Sequence, residues 1–167
     1  MRGGALSAAQ LRPAGPEDCG RLLELIRELA QYERLAAAVR ADEDSLRATL
    51  FGPRPAAQVL LAELDGVVVG FALYFANYST FLAQPGLWLE DLYVQAEQRG
   101  RGIGGMLFQA VAEQARAADC GRMEWSVLDW NSPAIAFYKR MGARPQQDWT
   151  TWRLTGTGLR ALAERGR

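Results

Sequence analysis

The chain has 167 residues, its 19 basic and 19 acidic side chains cancel, and it contains no histidine. Its length predicts a single domain over residues 1–167, with a core from about residue 9 to residue 155 between two tails. A zero net charge provides no overall field to attract nucleic acid or an anionic membrane, so we expect neither as a partner. The lack of histidine excludes Ser-His-Asp triads and His-based zinc sites. We therefore expect no metal, and carboxylates or tyrosine must carry any proton transfer.

Cysteine usage and hydropathy point to the cytoplasm. Cys19 and Cys120 lie far apart in the sequence, which is typical of reduced thiols rather than of a disulfide framework. Residues 1–10 contain no apolar run long enough for a signal peptide, and no segment reaches the ~20 apolar residues of a membrane span. We therefore expect a cytoplasmic protein.

The first part of the chain predicts one strand and two helices. Residues 9–13 are typical of a short strand. The segment Pro16-Glu17-Asp18 predicts a helix start, because proline and acids are favoured in a first turn and apolar residues follow at helical spacing. A second helix is expected over residues 42–50.

A β-hairpin is expected next. Residues 59–64 and 67–78 predict two strands, and they flank Asp65-Gly66, a pair that accepts the positive φ angles of a tight turn. Residues 87–94 predict a further strand.

The second half of the chain alternates helix and strand patterns. We expect a helix up to about residue 118 and then a strand over residues 123–128. Ser132 and Pro133 predict the N-cap and the first position of a short helix that ends at Gly142. The remaining elements are a last strand over residues 149–154 and a terminal helix or tail over residues 158–165. This order predicts an α/β (α+β) fold, a mixed sheet with helices on both faces.

A glycine-rich loop lies between the 87–94 strand and the helix that follows. Its sequence, Arg99-Gly100-Arg101-Gly102-Ile103-Gly104-Gly105, holds four glycines and two arginines. Glycine backbone can adopt positive φ and approach an anion closely. The following helix adds its free N–H groups and the positive end of its dipole. The loop therefore predicts a phosphate site.

Two other interpretations of this loop remain open. Gly100, Gly102 and Gly105 match the dinucleotide fingerprint G-x-G-x-x-G, and Glu124 stands about where that motif has its ribose-binding acid. Residues 95–99, which separate the loop from its strand, argue against this interpretation. A glycine-rich connection without a ligand is the second, although the two arginines favour an anion site. A P-loop kinase is excluded, because the Gly-Lys-Ser/Thr ending is missing.

In this context Arg99-x-x-Gly102-x-Gly104 resembles the acetyl-CoA pyrophosphate loop of the GNAT superfamily of N-acetyltransferases. Four further segments are similar to the diamine (spermidine/spermine) acetyltransferase family: Glu28-Leu29-Ala30-Gln31-Tyr32-Glu33, Leu89-Glu90-Asp91-Leu92-Tyr93-Val94, Val127-Leu128-Asp129-Trp130-Asn131 and Phe137-Tyr138-Lys139-Arg140-Met141-Gly142-Ala143. Within that family, Tyr78-Ser79-Thr80 and Leu128-Asp129-Trp130-Asn131 resemble the thialysine acetyltransferase branch more than the polyamine enzymes. The resemblance implies the GNAT fold, with a mostly antiparallel sheet of about six to seven strands. It also implies acetyl-CoA as cosubstrate, a small-molecule primary amine as acceptor, and a homodimer.

The chemistry of such a transfer requires a base. An alkylamine has a pKa of about 10.4, so it is protonated at neutral pH and must lose a proton before it attacks a thioester. Glu90 and Asp91 lie in an otherwise apolar strand, where alternation predicts that they point to opposite sides of the sheet. The resemblance makes Glu90 the base, acting directly or through a water, and gives Asp91 the weaker role of attracting the cationic amine. A solvated strand-end acid is the alternative reading of Glu90.

The departing thiolate requires an acid. A phenol has a pKa near 10 and is protonated at neutral pH, so it can donate a proton as charge develops on sulfur. Tyr138 matches the general acid of the family. Beside Phe137 it is also compatible with a core aromatic residue at helical spacing, and the surrounding similarity favours the catalytic role.

The remaining cofactor contacts are implied by the resemblance. Backbone groups of one strand would pair with the pantetheine arm, the next strand and its helix would border the arm, and the loop would hold the phosphates. The residues are Leu92, Tyr93 and Val94, then Asn131, Ser132, Pro133 and Ala134, with Tyr138 beside them, and Arg99, Gly100, Arg101, Gly102, Ile103, Gly104 and Gly105. Arg99 and Arg101 would screen phosphate charge, although exposed arginines are often only solvated.

The amine is less closely defined. The resemblance carries Tyr32, Glu33 and Asp91 to amine-binding positions, and Trp152 to a place beside the substrate channel. The structural alternative for Tyr32 and Glu33 is an ordinary helix end with a solvated acid, and the alternative for Trp152 is a core strand residue. Ser79, Thr80 and Thr150 stand where the polyamine enzymes carry extra acids. Fewer acids favour a shorter amine that bears its own carboxylate, such as thialysine or a lysine analogue, and a small diamine stays open.

Two further classes of function stay open. One is an acetyltransferase that modifies a protein or peptide amine. The other is a non-catalytic sensor that binds acetyl-CoA without turnover, against which the presence of both Glu90 and Tyr138 argues.

Overall fold

The computed structural model describes residues 8–165 of the chain. The tails that the sequence predicts at either end fall partly on residues 1–7 and 166–167, which lie outside the described residues. The described chain divides into two compact units, residues 8–126 and residues 127–165. The prediction of a single domain over residues 1–167 stays a prediction.

The first unit contains five strands and three helices, joined by short turns that include three 3₁₀ segments. In chain order the elements are β1 (Gln10–Pro13), α1 (Cys19–Tyr32), α2 (Glu43–Phe51), β2 (Gln58–Leu64), β3 (Val67–Ser79), β4 (Gln84–Val94), α3 (Ile103–Ala117) and β5 (Met123–Glu124). The predicted helices and strands of this unit are thus present, except that the last strand is shortened to Met123–Glu124, and Pro16–Asp18 forms a 3₁₀ turn ahead of α1.

The strands form one mixed sheet in the order β1-β2-β3-β4-β5. All neighbouring pairs are antiparallel except β4 and β5, which are parallel. The predicted hairpin is confirmed: Asp65 and Gly66 link β2 to β3 with φ angles of 52° and 78°, as a tight turn requires.

Helices cover both faces of this sheet. Helices α1 and α2 bury their apolar residues against Leu61, Phe71 and Tyr93 of β2, β3 and β4. Consecutive residues of β2 are buried, as expected where both faces are covered, and α3 packs against β2, β3 and β4. The entry to α1 is tied down by Arg12, whose guanidinium donates two 2.8 Å hydrogen bonds to the buried Asp18.

The second unit contains α4 (Ser132–Arg140) and α5 (Gly156–Ala163). Asn131 caps α4 by accepting a hydrogen bond from the Ala134 N–H, so the N-cap lies one residue before the predicted Ser132. Gly142 follows the helix with a φ of 89°, which confirms the predicted end.

Within residues 8–165 the sheet has five strands, whereas about six to seven were expected, and the mixed fold class is confirmed. The strand predicted over residues 123–128 is reduced to Met123–Glu124, and residues 149–154 form no strand. A strand needs a neighbour to hydrogen-bond its backbone, and neither segment has a sufficient ladder in the described chain. No helix among the described residues is long and apolar enough to cross a membrane. Cys19 and Cys120 are both free, as predicted.

Candidate active site

A β-bulge in β4 brings the two adjacent acids together. Leu73 of β3 pairs with Asp91, and Tyr74, the next residue of β3, pairs with Leu89, so Glu90 is an extra residue without a partner. The bulge interrupts the alternation of side chains along the strand. Regular alternation therefore does not hold across Glu90 and Asp91, and the expectation that they point to opposite sides of the sheet loses its basis.

The end of α1 contributes a third acid. Glu33 follows Tyr32, the last residue of α1, and burial raises the pKa of its carboxyl. Burial, with the nearby charges of Glu90 and Glu33, raises the pKa of Asp91 to about 7. We call Glu33, Glu90 and Asp91 the acid cluster. Glu33 and Asp91 are partly buried, the like charges of the acid cluster repel one another, and a cationic ligand relieves that repulsion.

Within the acid cluster Glu90 and Asp91 differ in exposure. Asp91 is partly buried, whereas Glu90 is exposed. The Trp88 indole N–H donates a 2.8 Å hydrogen bond to Glu90 Oε2, one of its two carboxylate oxygens.

The glycine-rich loop has the backbone that a phosphate site requires. Gly100 and Gly102 have φ angles of 78° and 81°, and Gly102 stands at the N-terminus of α3. Apart from the neighbouring backbone of α3, a Cβ added at Gly105 would meet no atom of residues 8–165 within 4 Å, and one added at Gly104 would meet only Val94 Cγ2, at 3.9 Å. Packing within the described chain therefore does not require glycine at these two helical positions, where glycine weakens a helix. The space above them is open for a ligand.

The outer edge of β4 beside this loop is also open. Strand β5 pairs with β4 only at Leu87 and Trp88. Beyond them, Leu89–Val94 have no neighbouring strand on that edge among the described residues. An extended ligand can add to such an edge as a further strand.

The side chain of Arg99 contacts β4 and the end of α1. Its Nε donates a 3.0 Å hydrogen bond to the Val94 carbonyl, and its guanidinium carbon lies 4.6 Å from the Tyr32 ring centre and 5.6 Å from that of Tyr93. Arg101 is exposed. Arg99 thus joins the loop to β4 and to the end of α1.

Glu124 does not fit the dinucleotide alternative. Its Oε2 lies 2.8 Å from Arg122 Nε and accepts a 3.5 Å hydrogen bond from the Asn77 amide. A ribose-binding acid needs its oxygens for the sugar, and the fingerprint belongs to a parallel sheet, whereas β2, β3 and β4 are antiparallel.

The second unit holds the other predicted residues. Tyr138 lies on α4, partly buried, with its ring packed edge-on against Phe137 at 5.2 Å. Asn131 is buried at the N-terminus of the same helix, and Ser132, Pro133 and Ala134 form its first turn. Trp152 is 90% exposed.

Glu28, to which the sequence assigns no role of its own, links α1 to the end of β4. The Tyr93 hydroxyl donates a 3.2 Å hydrogen bond to Glu28 Oε2, and the Gln95 amide donates to both carboxylate oxygens. The available signal was its spacing: Glu28 lies four residues before Tyr32 in α1 and therefore on the same side of the helix.

Known proteins agree with this architecture. Residues 21–143 match the Acetyltransferase (GNAT) family. The chain belongs to this family of acetyltransferases and is an acyltransferase. In the part of the chain that the structure describes, no group of three or more His, Cys, Asp or Glu side chains has an arrangement that could hold a metal ion.

Its relatives include N-acetyltransferases of small amines. The chain is 38% identical to the thialysine N-epsilon-acetyltransferase of Sus scrofa, over 95% of this chain and 99% of the relative. It is 34% identical to the L-ornithine N5-acetyltransferase of Arabidopsis thaliana, over 92% and 87%. Among solved structures, an integron cassette protein of V. cholerae superposes with a TM-score of 0.79 at 27% identity, over 93% of this chain and 98% of that one.

Proposed function

We propose that this protein transfers the acetyl group of acetyl-CoA to the primary amine of a small molecule, either a thialysine-like or lysine-like amine or a diamine or polyamine. The observation that carries the proposal is the acid cluster at the bulge of β4, on a strand whose edge is open and whose end leads into the glycine-rich loop. An acid cluster recognises an ammonium, and an open strand edge with a phosphate loop suits coenzyme A.

The residues that hold acetyl-CoA in this proposal use mainly their backbones. Leu92, Tyr93 and Val94 would pair with the pantetheine arm along the open edge, and one N–H there would stabilise the oxyanion. The phosphates would lie over Gly104 and Gly105, where a Cβ meets open space. Asn131 to Ala134 would border the arm. Arg99 would contribute its backbone, because its side chain is engaged by Val94 and Tyr32.

Glu90 acts as the base in the proposed mechanism. The amine nitrogen gives its proton to Glu90, directly or through a water, and then forms a bond to the thioester carbon. The hydrogen bond from Trp88 orients the Glu90 carboxylate. Asp91 and Glu33 attract the ammonium, and Tyr32, at the end of α1 next to Glu33, lines the same approach.

Tyr138 acts as the acid. When the tetrahedral intermediate collapses, the carbon–sulfur bond breaks, and the Tyr138 hydroxyl gives its proton to the thiolate. The second proton that the amine nitrogen loses as the amide forms restores the Tyr138 phenol, and the proton held by Glu90 passes to solvent. Trp152 is proposed to contact the amine, in keeping with its exposure.

The nature of the relatives favours an amino acid as the amine. Thialysine and ornithine, named in the relatives, each carry a carboxylate besides their amines. The acid cluster would repel that carboxylate at close range and so orient the molecule with its side-chain amine forward. A homodimer and a cytoplasmic location are part of the same proposal, and light scattering tests the first.

A thiol-release assay with acetyl-CoA tests this function. We expect turnover with thialysine, lysine, ornithine or small diamines, and slower turnover with spermidine. If mass spectra show acetylated peptide and no acetylated small amine, the protein acetylates peptides or proteins instead. Coenzyme A binding without thiol release for any amine would leave only the sensor function.

Gly105→Ala is expected to change folding stability and coenzyme A binding in opposite directions. We expect a free protein stabilised by about 0.5–1 kcal/mol, because alanine favours the helix and its Cβ meets no atom within 4 Å. The same Cβ would occupy the space proposed for phosphate and weaken coenzyme A binding at least about 10-fold, a loss of roughly 1.4 kcal/mol.

Thermal unfolding and calorimetric titration with coenzyme A measure the two effects of Gly105→Ala. Gln114→Ala, an exposed change in the same helix, is the control and should leave binding unchanged. If Gly105→Ala binds coenzyme A with the wild-type affinity, the phosphates do not lie over Gly105.

A further inference from the structure

A single carboxylate of α1 holds the end of β4. Glu28 Oε2 accepts the Tyr93 hydroxyl at 3.2 Å, and the Gln95 Nε2 amide lies 3.0 Å and 3.1 Å from the two Glu28 oxygens. Tyr93 is buried, with its ring 6.4 Å from that of Phe71. Val94, the last residue of β4, thus lies between Tyr93 and Gln95, and both of these are hydrogen-bonded to Glu28.

The same end of β4 supports the glycine-rich loop. Arg99 donates a hydrogen bond from Nε to the Val94 carbonyl at 3.0 Å and lies over the Tyr93 ring. On its other side the guanidinium lies over Tyr32, four residues after Glu28 in α1. One side of α1 therefore supports both Tyr93, which is in the strand, and Arg99, which opens the loop.

We infer that Glu28 is a positioning residue for coenzyme A: through Tyr93 and Gln95 it fixes the strand edge and the loop that bind the cosubstrate. This inference rests on the proposed function. Glu28 touches neither the acid cluster nor the reacting atoms in that mechanism. Its loss therefore disturbs acetyl-CoA binding more than the chemical step, because a displaced backbone loses hydrogen bonds along its whole edge.

Glu28→Ala is the first test, by calorimetric titration with coenzyme A and by steady-state kinetics. It leaves the buried Tyr93 hydroxyl without its acceptor. We expect the Kd for coenzyme A and the KM for acetyl-CoA to rise about 10-fold, which corresponds to the loss of one hydrogen bond to a charged group, with kcat changed less than about 3-fold. Glu28→Gln retains an acceptor and should restore much of the affinity.

Two further variants keep the inference falsifiable if Glu28→Ala unfolds. Tyr93→Phe removes only the hydroxyl and should raise the Kd in the same direction. The double variant Glu28→Ala/Tyr93→Phe should be no worse than Glu28→Ala, because both changes break one link. Asp44→Asn is the control, since Asp44 is an exposed acid of α2 that pairs with Arg47 of the same helix; its Kd should equal that of the wild type.

The outcomes distinguish the inference from the function on which it rests. A wild-type protein that does not bind coenzyme A would overturn both. Wild-type binding that persists unchanged in folded Glu28→Ala and in Tyr93→Phe would overturn the inference alone. So would a fall in kcat with an unchanged acetyl-CoA KM, or full additivity in the double variant.

Discussion

Tyr138→Phe is expected to lower the turnover number on the order of 10²-fold or more while coenzyme A affinity is retained, since general acid catalysis typically contributes 10²–10⁴-fold. The substitution removes one hydroxyl and keeps the aromatic ring that packs edge-on against Phe137. Without a donor, the thiolate must leave as an anion or take its proton from water. A thiol-release assay at saturating acetyl-CoA and amine measures the loss directly.

The control for Tyr138→Phe is another tyrosine that loses the same group. Tyr78 is exposed on β3 and is 62% accessible, so Tyr78→Phe should leave turnover and thermal stability unchanged. If the turnover number of Tyr138→Phe stays within a few-fold of wild type, a group other than Tyr138 donates the proton to the thiolate. Loss of coenzyme A binding together with turnover would make Tyr138 a binding residue instead.

Local sequence signals predict much of this fold. The hairpin turn at Asp65-Gly66 depends on the φ angles of two residues, and the end of α4 depends on Gly142, so each can be recognised from a few neighbouring letters. The glycine-rich loop is of the same kind. Its glycines at positions 100 and 102 adopt positive φ, as expected of a phosphate site.

Long-range pairing explains what the sequence does not predict. The bulge at Glu90 exists because β3 pairs with Asp91 and Leu89 on either side of it, and the alternation of residues along β4 alone does not predict it. Glu28 acquires its partners from a strand more than sixty residues later. Residues 149–154 have a strand-like pattern but form no ladder in the described chain. A strand also needs a neighbouring strand to hydrogen-bond with its backbone, and the local pattern does not predict one.

The second large effect is expected on the binding of the amine, for the substitution Asp91→Asn next to the bulge. Its carboxyl has a pKa raised to about 7 by burial and by the charges of Glu90 and Glu33. Above that pH it is a partly buried anion beside two other acids, and a bound ammonium compensates it. We expect Asp91→Asn to raise the KM for the amine roughly 10²-fold at pH 8, since removing one partner of a desolvated charge pair costs about 2–5 kcal/mol.

The pH dependence separates Asp91 from Glu90. Below pH 7 the Asp91 carboxyl is protonated and attracts an ammonium poorly, so the wild-type KM for the amine should fall as pH rises from about 5.5 to 8. The amine stays cationic over that range, since its pKa is about 10.4. Asp91→Asn should abolish this change in KM. Glu90→Gln should retain it and lower kcat instead, on the order of 10²-fold.

Stability provides a readout of Asp91 that is independent of catalysis. A carboxyl whose pKa is raised on folding binds protons more tightly in the folded state, so folding stability falls as pH rises from about 4 to 7. The cost of the charged form is on the order of 4 kcal/mol, since each unit by which the pKa is raised corresponds to about 1.4 kcal/mol, and asparagine removes it. We therefore expect Asp91→Asn to unfold several degrees above wild type at pH 8 and close to wild type at pH 4, in thermal scans without ligand. Equal stability at pH 8, with an unchanged amine KM, would show that Asp91 bears no unusual charge and would leave Glu33 as the acid that attracts the amine.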